Sequence, residues 1–356
     1  MKKPSVIFIA GTLGQGGAEK QLFLLSRSLK KREHEVEVIS LTKGEYWEHE
    51  LRLLGIKVHN IPRNISRWEK FKAIKRLVKQ SLPDVVYSFH FYTSFYAGLL
   101  RFYFNGLKTI GSIRNNGKSE VKENGIWSWL HMHSCHKIIG NNYDGINYVN
   151  KALKVPRRKL FFLSNAVETS LDAEKNNIST EAPLKIVFIG RLVRQKDPEM
   201  LLEIASILKE KNIPFQLDII GDGPMKESLN KKIINKQLQQ NAFLLGKIDK
   251  ASQHLPSYQI LLSTSLYEGT PNVILEALLA KVYPVVRNYN GIQTLFNDIG
   301  EEYCHLIFRN SIEAVEIIIK ISQDPNQFKI LKNRGRDYVM NNFSEETQYR
   351  SFSNMI

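Results

Sequence analysis

Two doubly wound α/β domains are predicted by this sequence, and three observations predict them. Short β-rich runs alternate with amphipathic helical segments through the first half of the chain. A polar stretch interrupts the alternation, and beyond it the same pattern begins again. At 356 residues the chain is long enough to bury two full cores. Alternation of this kind implies parallel sheets, because parallel strands need a crossover and the crossover helix covers a face.

In the first half, β-branched and aromatic runs bounded by turn residues place strands at 6–10, 36–41, 57–61, 84–89, 109–113, 137–140 and 160–163. Helical periodicity occupies 19–30 and 69–80. Residues 168–183, rich in Asn, Ser, Thr and charge, read as a linker. The second half repeats the pattern, with strands at 185–190, 216–220, 242–245, 259–263, 283–287 and 305–308. Helices are expected there at 198–211, 225–236, 272–280 and 312–322, and the tail from 327 is helical in pattern. The expected division is 1–167, a linker at 168–183, 184–340, and a terminal helix at 341–356. Two such Rossmann-like domains would face each other across a cleft at the carboxyl ends of their sheets, where doubly wound folds take ligands.

Composition narrows the class. Hydrophobic content of 43% with 10% aromatics is that of a globular chain. Cys135 and Cys304 supply neither a disulfide framework nor a zinc spacing, which points to a reducing cytoplasm. The apolar run after Ser5 is too short for a signal peptide, and no uninterrupted apolar stretch approaches the ~20 residues that span a bilayer. Net charge is +15, unevenly placed. Residues 1–182 carry 29 basic and 16 acidic side chains, whereas 183–356 carry 21 and 19. The first half therefore fits an anionic partner: a membrane leaflet, a diphosphate lipid or a nucleic acid.

The densest chemistry lies in Tyr267-Glu268-Gly269-Thr270-Pro271-Asn272-Val273-Ile274-Leu275-Glu276-Ala277. Gly269 and Pro271 make a loop, and the apolar run beyond them reads as the start of a buried helix. Free amides at a helix start attract anions and hydroxyl oxygens. Glu268 precedes that start and Glu276 lies about a turn and a half inside it. A carboxylate accepts two hydroxyl hydrogen bonds at once, so the pair suits a ribose and a sugar ring. A capped helix with water-facing charges has the same sequence pattern. In Gly190-Arg191-Leu192-Val193-Arg194-Gln195-Lys196, directly after a strand, Arg191 and Lys196 can clamp a diphosphate, one by its planar fork and one as a point charge. Arg194 reads as solvated. Gly14-Gln15-Gly16-Gly17-Ala18-Glu19 also follows a strand and opens a helix. Its glycines permit close backbone approach to phosphate, or simply a tight turn. The full dinucleotide pattern is missing and no acidic residue ends the second strand, which argues against an NAD site.

Together these segments resemble the retaining glycosyltransferases of the two-domain GT-B fold, specifically glycosyltransferase family 4, along nearly the whole chain. The resemblance implies that Arg191 and Lys196 hold the donor diphosphate in place of a metal, and no Asp-x-Asp occurs in the sequence. No cofactor is implied. Gly16 and Gly17 would face the leaving phosphates and the transferred sugar, and Gly246-Lys247 would offer main chain to the nucleobase. Thr270, Pro271, Asn272 and Val273 would receive the diphosphate, Glu276 the ribose and Glu268 a sugar hydroxyl. Asp222, in Gly221-Asp222-Gly223, supports the site in the family or serves only its own turn. Asn165-Ala166-Val167-Glu168 resembles the family's hinge, and Asn342-Phe343-Ser344 the point where the last helix crosses back to the first domain.

The chain also departs from the family. Arg114 stands near the position where many members carry a histidine beside the reacting sugar. An arginine cannot act as a base at neutral pH, so phosphate or acceptor-phosphate binding is expected of it. His90 is the nearest substitute, with a purely structural role as the other reading. Val282 occupies a usual glycine position, and Asn290-Gly291 keeps part of a glycine pair.

Two further segments carry alternatives. Residues 63–79 hold seven cations and one acid, with Ile65, Trp68, Phe71, Ile74, Leu77 and Val78 at helical spacing. That suits an interfacial amphipathic helix, or a core helix with a wet basic face. His131, His133, Cys135 and His136 cluster without a second ligand pair, so no metal is expected. The expected function is metal-independent retaining transfer of a hexosyl or N-acetylhexosaminyl group. The donor would be a nucleoside-diphosphate sugar, UDP-linked, and the acceptor a glycan or lipid-linked glycan in cell-surface polysaccharide synthesis. The enzyme would sit peripherally on the inner face of the cell membrane. The alternative is a catalytically inactive GT-B subunit that binds nucleotide or glycan. Nucleic-acid binding has charge in its favour but lacks a reading module.

Overall fold

The computed structural model describes residues 3–115, 117–168, 183–289, 291–323 and 329–356. The expected linker, apart from its two end residues, and Asn116 and Asn290 lie outside the described residues. The backbone forms two compact units, Met1–Ala166 with Phe343–Ile356, and Val167–Asn342.

The first unit is a seven-stranded sheet in the order β3-β2-β1-β4-β5-β6-β7. Its strands are β1 Val6–Ala10, β2 Val36–Ser40, β3 Lys57–Asn60, β4 Val85–Ser88, β5 Lys108–Ile113, β6 Lys137–Gly140 and β7 Leu160–Phe162. Every pairing is parallel. The crossovers are α1 Gly17–Lys31, α2 Tyr46–Leu53, α3 Arg67–Ser81, α4 Ser94–Leu100, α5 Lys118–Asn124, α6 Trp127–Ser134 and α7 Tyr143–Leu153. Leu22, Leu25 and Leu51 fill one face of the sheet, and Phe71, Ile74, Ala97 and Met132 fill the other. β1 pairs with both β2 and β4, so the winding direction reverses there and the loops after β1 and β4 flank a crevice.

The second unit is a six-stranded parallel sheet in the order β10-β9-β8-β11-β12-β13. It comprises β8 Leu184–Ile189, β9 Phe215–Ile220, β10 Ala242–Gly246, β11 Ile260–Ser263, β12 Tyr283–Arg287 and β13 Ile307–Phe308. Its helices are α8 Pro198–Glu210, α9 Lys226–Asn235, α10 Asn272–Leu279, α11 Ile292–Ile299, α12 Ser311–Gln323 and α13 Lys329–Asn342. Here the reversal falls between β8 and β11.

The last helix, α14 Glu345–Ser353, belongs to the first unit. Ser344 caps it by accepting from the Thr347 N–H at 3.2 Å. Phe352 is fully buried and stacks on Tyr87 at 5.5 Å. Gln21 of α1 binds both the amide and the carbonyl of Ala166 at 2.7 Å, and Gln348 of α14 donates to Gln21 at 3.1 Å. One buried side chain thus meets the chain where it leaves the first unit and where it returns.

Periodicity left α2, α4, α5, α6, α7 and α11 unassigned. They are short, and the Phe-Tyr-Ala-Gly-Leu-Leu run of α4 lies against the sheet with no polar stripe to reveal its period. In α3, Phe71, Ile74 and Val78 are buried while Trp68 stays exposed, so its stripe is core and its cations form a wet face.

Candidate functional site

In the second unit, loops after three adjacent strands are stitched together by backbone. The Gly190 N–H donates to Ile220 O at 3.0 Å, and the Gly221 N–H to Gly246 O at 2.8 Å. Gly221 has φ of 154°, and a Cβ there would lie 1.8 Å from Gly190 O, so no other residue fits. Asp222 is exposed and 3.6 Å from Lys226.

The loops after β8 and β11 are laced across the reversal point. Gln195 Nε2 donates to Tyr267 O at 2.9 Å, the Leu266 N–H to Gln195 O at 2.9 Å, and Thr264 Oγ1 to Lys196 O at 2.8 Å. This lacing sets the Lys196 ammonium against the Glu268 carboxylate, both side chains largely buried. Arg191 lies nearby in sequence with its side chain exposed. The next residue after Lys196, Asp197, adopts the left-handed region at φ 43° and accepts from Arg287 at 2.5 Å. A strained non-glycine residue held by an ion pair beside two charged loops fixes the direction in which Lys196 leaves the backbone.

α10 starts after Pro271 without a side-chain cap. The loop Thr270–Val273 is half-buried, and Glu276 is buried at 8% exposure in the second turn. The apolar residues Ile274, Leu275, Leu278 and Leu279 bury this helix and carry Glu276 inward with them. Gly246 closes β10 with φ of 70°, and Lys247 is exposed. Tyr289 was not foreseen: its buried hydroxyl has no hydrogen-bond partner among the described residues. Burial, and next the Glu268 charge, push its pKa well above the usual phenol range. An aromatic after a strand carries no sequence signal for such a position.

In the first unit, the loop after β1 is held by side chains from three elements. His90 Nδ1 accepts from the Gly11 N–H at 3.0 Å, so that nitrogen carries no proton. His90 Nε2 therefore bears the hydrogen and donates it to Glu19 Oε1 at 3.2 Å. This tautomer makes His90 a positioning group for Glu19 and leaves it no free lone pair with which to act as a base. Gly16 caps α1, and a Cβ there would fall 2.1 Å from Glu19 Oε2. Gly17 is exposed at the first turn. The Glu45 carboxylate accepts from Thr12 Oγ1 at 2.9 Å, from Thr42 Oγ1 at 2.5 Å and from the Leu13 N–H. Burial alone would raise its pKa, but these donors, aided by Arg63, hold it below the usual carboxylate range.

Arg114 points inward. Its Nη2 donates to Tyr87 Oη at 2.5 Å, its guanidinium lies 3.8 Å from the centre of the Phe89 ring, and its buried Nε has no partner among the described residues. One side of the fork expected to meet phosphate is thus spent on the protein. Glu120 accepts from the Arg114 and Asn115 amides at 3.1 and 3.3 Å. Burial still pushes its carboxyl up to about 7. Val282 is buried, its N–H donating to Ala277 O at 2.9 Å behind α10. Cys135 is buried with its thiol 3.4 Å from Ser94 O, and His131 packs against Phe91 and Phe95. Among the described residues no group of three or more His, Cys, Asp or Glu side chains is placed to hold a metal ion.

Comparison with known proteins adds relatives to this geometry. Residues 15–171 match the family model for Glycosyltransferase Family 4, and residues 171–338 that for Glycosyl transferases group 1. The chain is 29% identical over 364 residues to a Campylobacter jejuni enzyme, the match covering 96% of each. That relative is named GalNAc-α-(1→4)-GalNAc-α-(1→3)-diNAcBac-PP-undecaprenol α-1,4-N-acetyl-D-galactosaminyltransferase. Among solved structures, Anabaena HepE in complex with UDP and glucose superposes with a TM-score of 0.82 at 13% identity, over 99% of each chain. Staphylococcus aureus TarM, bound to fondaparinux, α-GlcNAc-glycerol and UDP, gives 0.77 at 14% identity, again over 99% of each. At these identities the two structures speak for the fold.

Proposed function

Because the chain belongs to the GT-B glycosyltransferases, a Family 4 domain followed by a group 1 domain, we propose that it is a retaining hexosyl- or N-acetylhexosaminyltransferase. Its donor is a UDP-linked sugar, and its acceptor a glycan or lipid-linked glycan in cell-surface glycan synthesis. The observation that carries this reading is the charged corner of the second unit: the Lys196–Glu268 pair, the uncapped start of α10, and Glu276 buried behind it. The name of the C. jejuni relative, with its undecaprenol diphosphate acceptor, supports a lipid-linked acceptor. UDP in the HepE and TarM structures supports the nucleotide.

In this mechanism Arg191, Lys196 and the Thr270 and Val273 amides absorb charge on the diphosphate as the glycosidic bond breaks. In the first unit, Gly16 and Gly17 open α1 at an N-terminus that favours anions. The leaving phosphate oxygen takes the proton of the acceptor hydroxyl on the face it departs from, and that geometry preserves the anomeric configuration. Glu276 accepts from the ribose hydroxyls and Glu268 from a sugar hydroxyl, while Gly246 and Lys247 offer main chain to the base. Charge neutralisation by side chains and amides lets this step run without a metal. The basic first half favours peripheral attachment at the inner face of the membrane, and among the described residues no helix is long and apolar enough to cross one.

The test is the thermal shift of wild type and Glu276→Ala across UDP, GDP, ADP and their sugar conjugates. Stabilisation by uridine ligands that Glu276→Ala abolishes is the expected result; no shift with any nucleotide overturns the reading. A nucleotide-binding subunit without turnover is the second reading, favoured by the inward Arg114 and by Val282 behind α10. It predicts the same shifts with no release of UDP from any donor.

A further inference from the structure

We propose that the corner between α5 and α6 is an apolar wedge that docks this protein on an anionic lipid leaflet. The proposal rests on the reading that the acceptor is membrane-linked. Ile126, Trp127 and Trp129 stand 89%, 51% and 54% exposed within four consecutive residues. Trp68, at the start of α3, adds a further indole at 53%. Three indoles and an isoleucine in water are costly unless something covers them. Trp is also the side chain best suited to the headgroup level of a bilayer, where its ring is buried and its N–H stays wet.

These residues share one end of the unit. α3 follows β3, and α5 and α6 follow β5, so the first turns of α3 and α5 and the α5–α6 corner lie towards the carboxyl ends of the parallel strands. The Gly14–Gly17 loop and His90 lie at the same end. α3 packs on α4 and α4 on α6, so α3 stands across α4 from α6, and the Arg67 charge reaches Tyr96 and His131. Arg63, Arg67, Lys118 and Lys122, all exposed, frame the aromatics with positive charge. Of the acids nearby, Glu69 is folded back on the Ser66 amide at 2.8 Å and Glu123 is exposed. A second copy of the chain meeting this face about a two-fold axis would bring cation against cation, whereas anionic headgroups neutralise them. Beyond Trp68 the basic helix α3 offers no apolar face, because Phe71, Ile74 and Val78 are in the core.

The experiment is sedimentation of the full chain with vesicles of phosphatidylcholine alone and of phosphatidylcholine with phosphatidylglycerol. Wild type should sediment with the anionic vesicles, and more weakly as salt is added. The triple variant Ile126→Ser, Trp127→Ser, Trp129→Ser should bind about tenfold more weakly or worse, while its thermal shift with UDP stays that of wild type. Arg63→Glu with Arg67→Glu should also weaken binding and flatten the salt dependence. With Trp47 and Trp68 replaced by Phe, the emission of Trp127 and Trp129 should shift to the blue on anionic vesicles. Absence of vesicle binding, equal binding by the triple variant, or an unmoved emission spectrum overturns the proposal. So does a wild-type dimer that the triple variant turns into a monomer. Vesicle binding by a protein that shows no shift with any nucleotide would instead sink the donor reading and leave the wedge standing.

Discussion

Single residues decide the chemistry, and the Lys196–Glu268 pair is the sharpest case. Lys196→Met removes a cation held beside the expected diphosphate, and kcat should fall about 10²–10³-fold with a smaller change in KM. Steady-state kinetics with the matched donor checks it, and an effect confined to KM would assign Lys196 to ground-state binding alone. Gly16→Ala tests the other unit. The new methyl group would displace the Glu19 carboxylate, only 2.1 Å away, and with it the His90 hydrogen bond. The variant should fold with a lowered melting temperature and lose transfer activity; unchanged activity would show that the Glu19–His90 pair holds the loop for stability only. Glu276 and Lys196 were legible as candidates because loop glycine, helix start and carboxylate spacing are local. The inward turn of Arg114 was not, since it depends on Tyr87 and Phe89 from a neighbouring strand.

At the scale of elements, α14 shows how a short polar helix becomes structural. At nine residues it is too short to stand on propensity alone, so packing must hold it. Phe352 on Tyr87, the Gln348–Gln21 bond and the Arg27–Glu345 pair at 2.6 Å supply that packing. Phe352→Ala should cost about 3–5 kcal/mol, and Ser344→Ala about 1 kcal/mol, both read by chemical denaturation. A Phe352→Ala cost of a few tenths would mean that α14 is dispensable to the first unit. Strands were more legible than helices here. The central strands β1, β4 and β11 are buried throughout and read as compact apolar runs, whereas α4 and α5 are too short to establish a period.

Across the whole molecule, titration and charge distribution become the measurable quantities. Glu120 binds its proton more tightly folded, at about 7, than an ordinary unfolded carboxyl does. Its contribution to stability is therefore full at low pH and falls as pH rises through about 7. Glu120→Gln should narrow the difference in melting temperature between about pH 5 and about pH 8. An unchanged difference would place the titration elsewhere.

The sequence by itself determined the α/β class, the restart of the pattern and the glycosyltransferase family, because those reside in local periodicity and in motifs a few residues long. It also located the excess positive charge in the first half. Only the tertiary structure decided which apolar surface of that half is free. The stripe of α3 and the indoles of α6 look alike as sequence, since both mix aromatic and aliphatic residues with polar ones. Packing against the sheet buries Phe71, Ile74 and Val78 and leaves Trp127 and Trp129 in water. The tautomer of His90 was settled in the same way. A proton goes where the Gly11 amide and the Glu19 carboxylate permit, and those groups come from different strands and helices, brought together only by the fold.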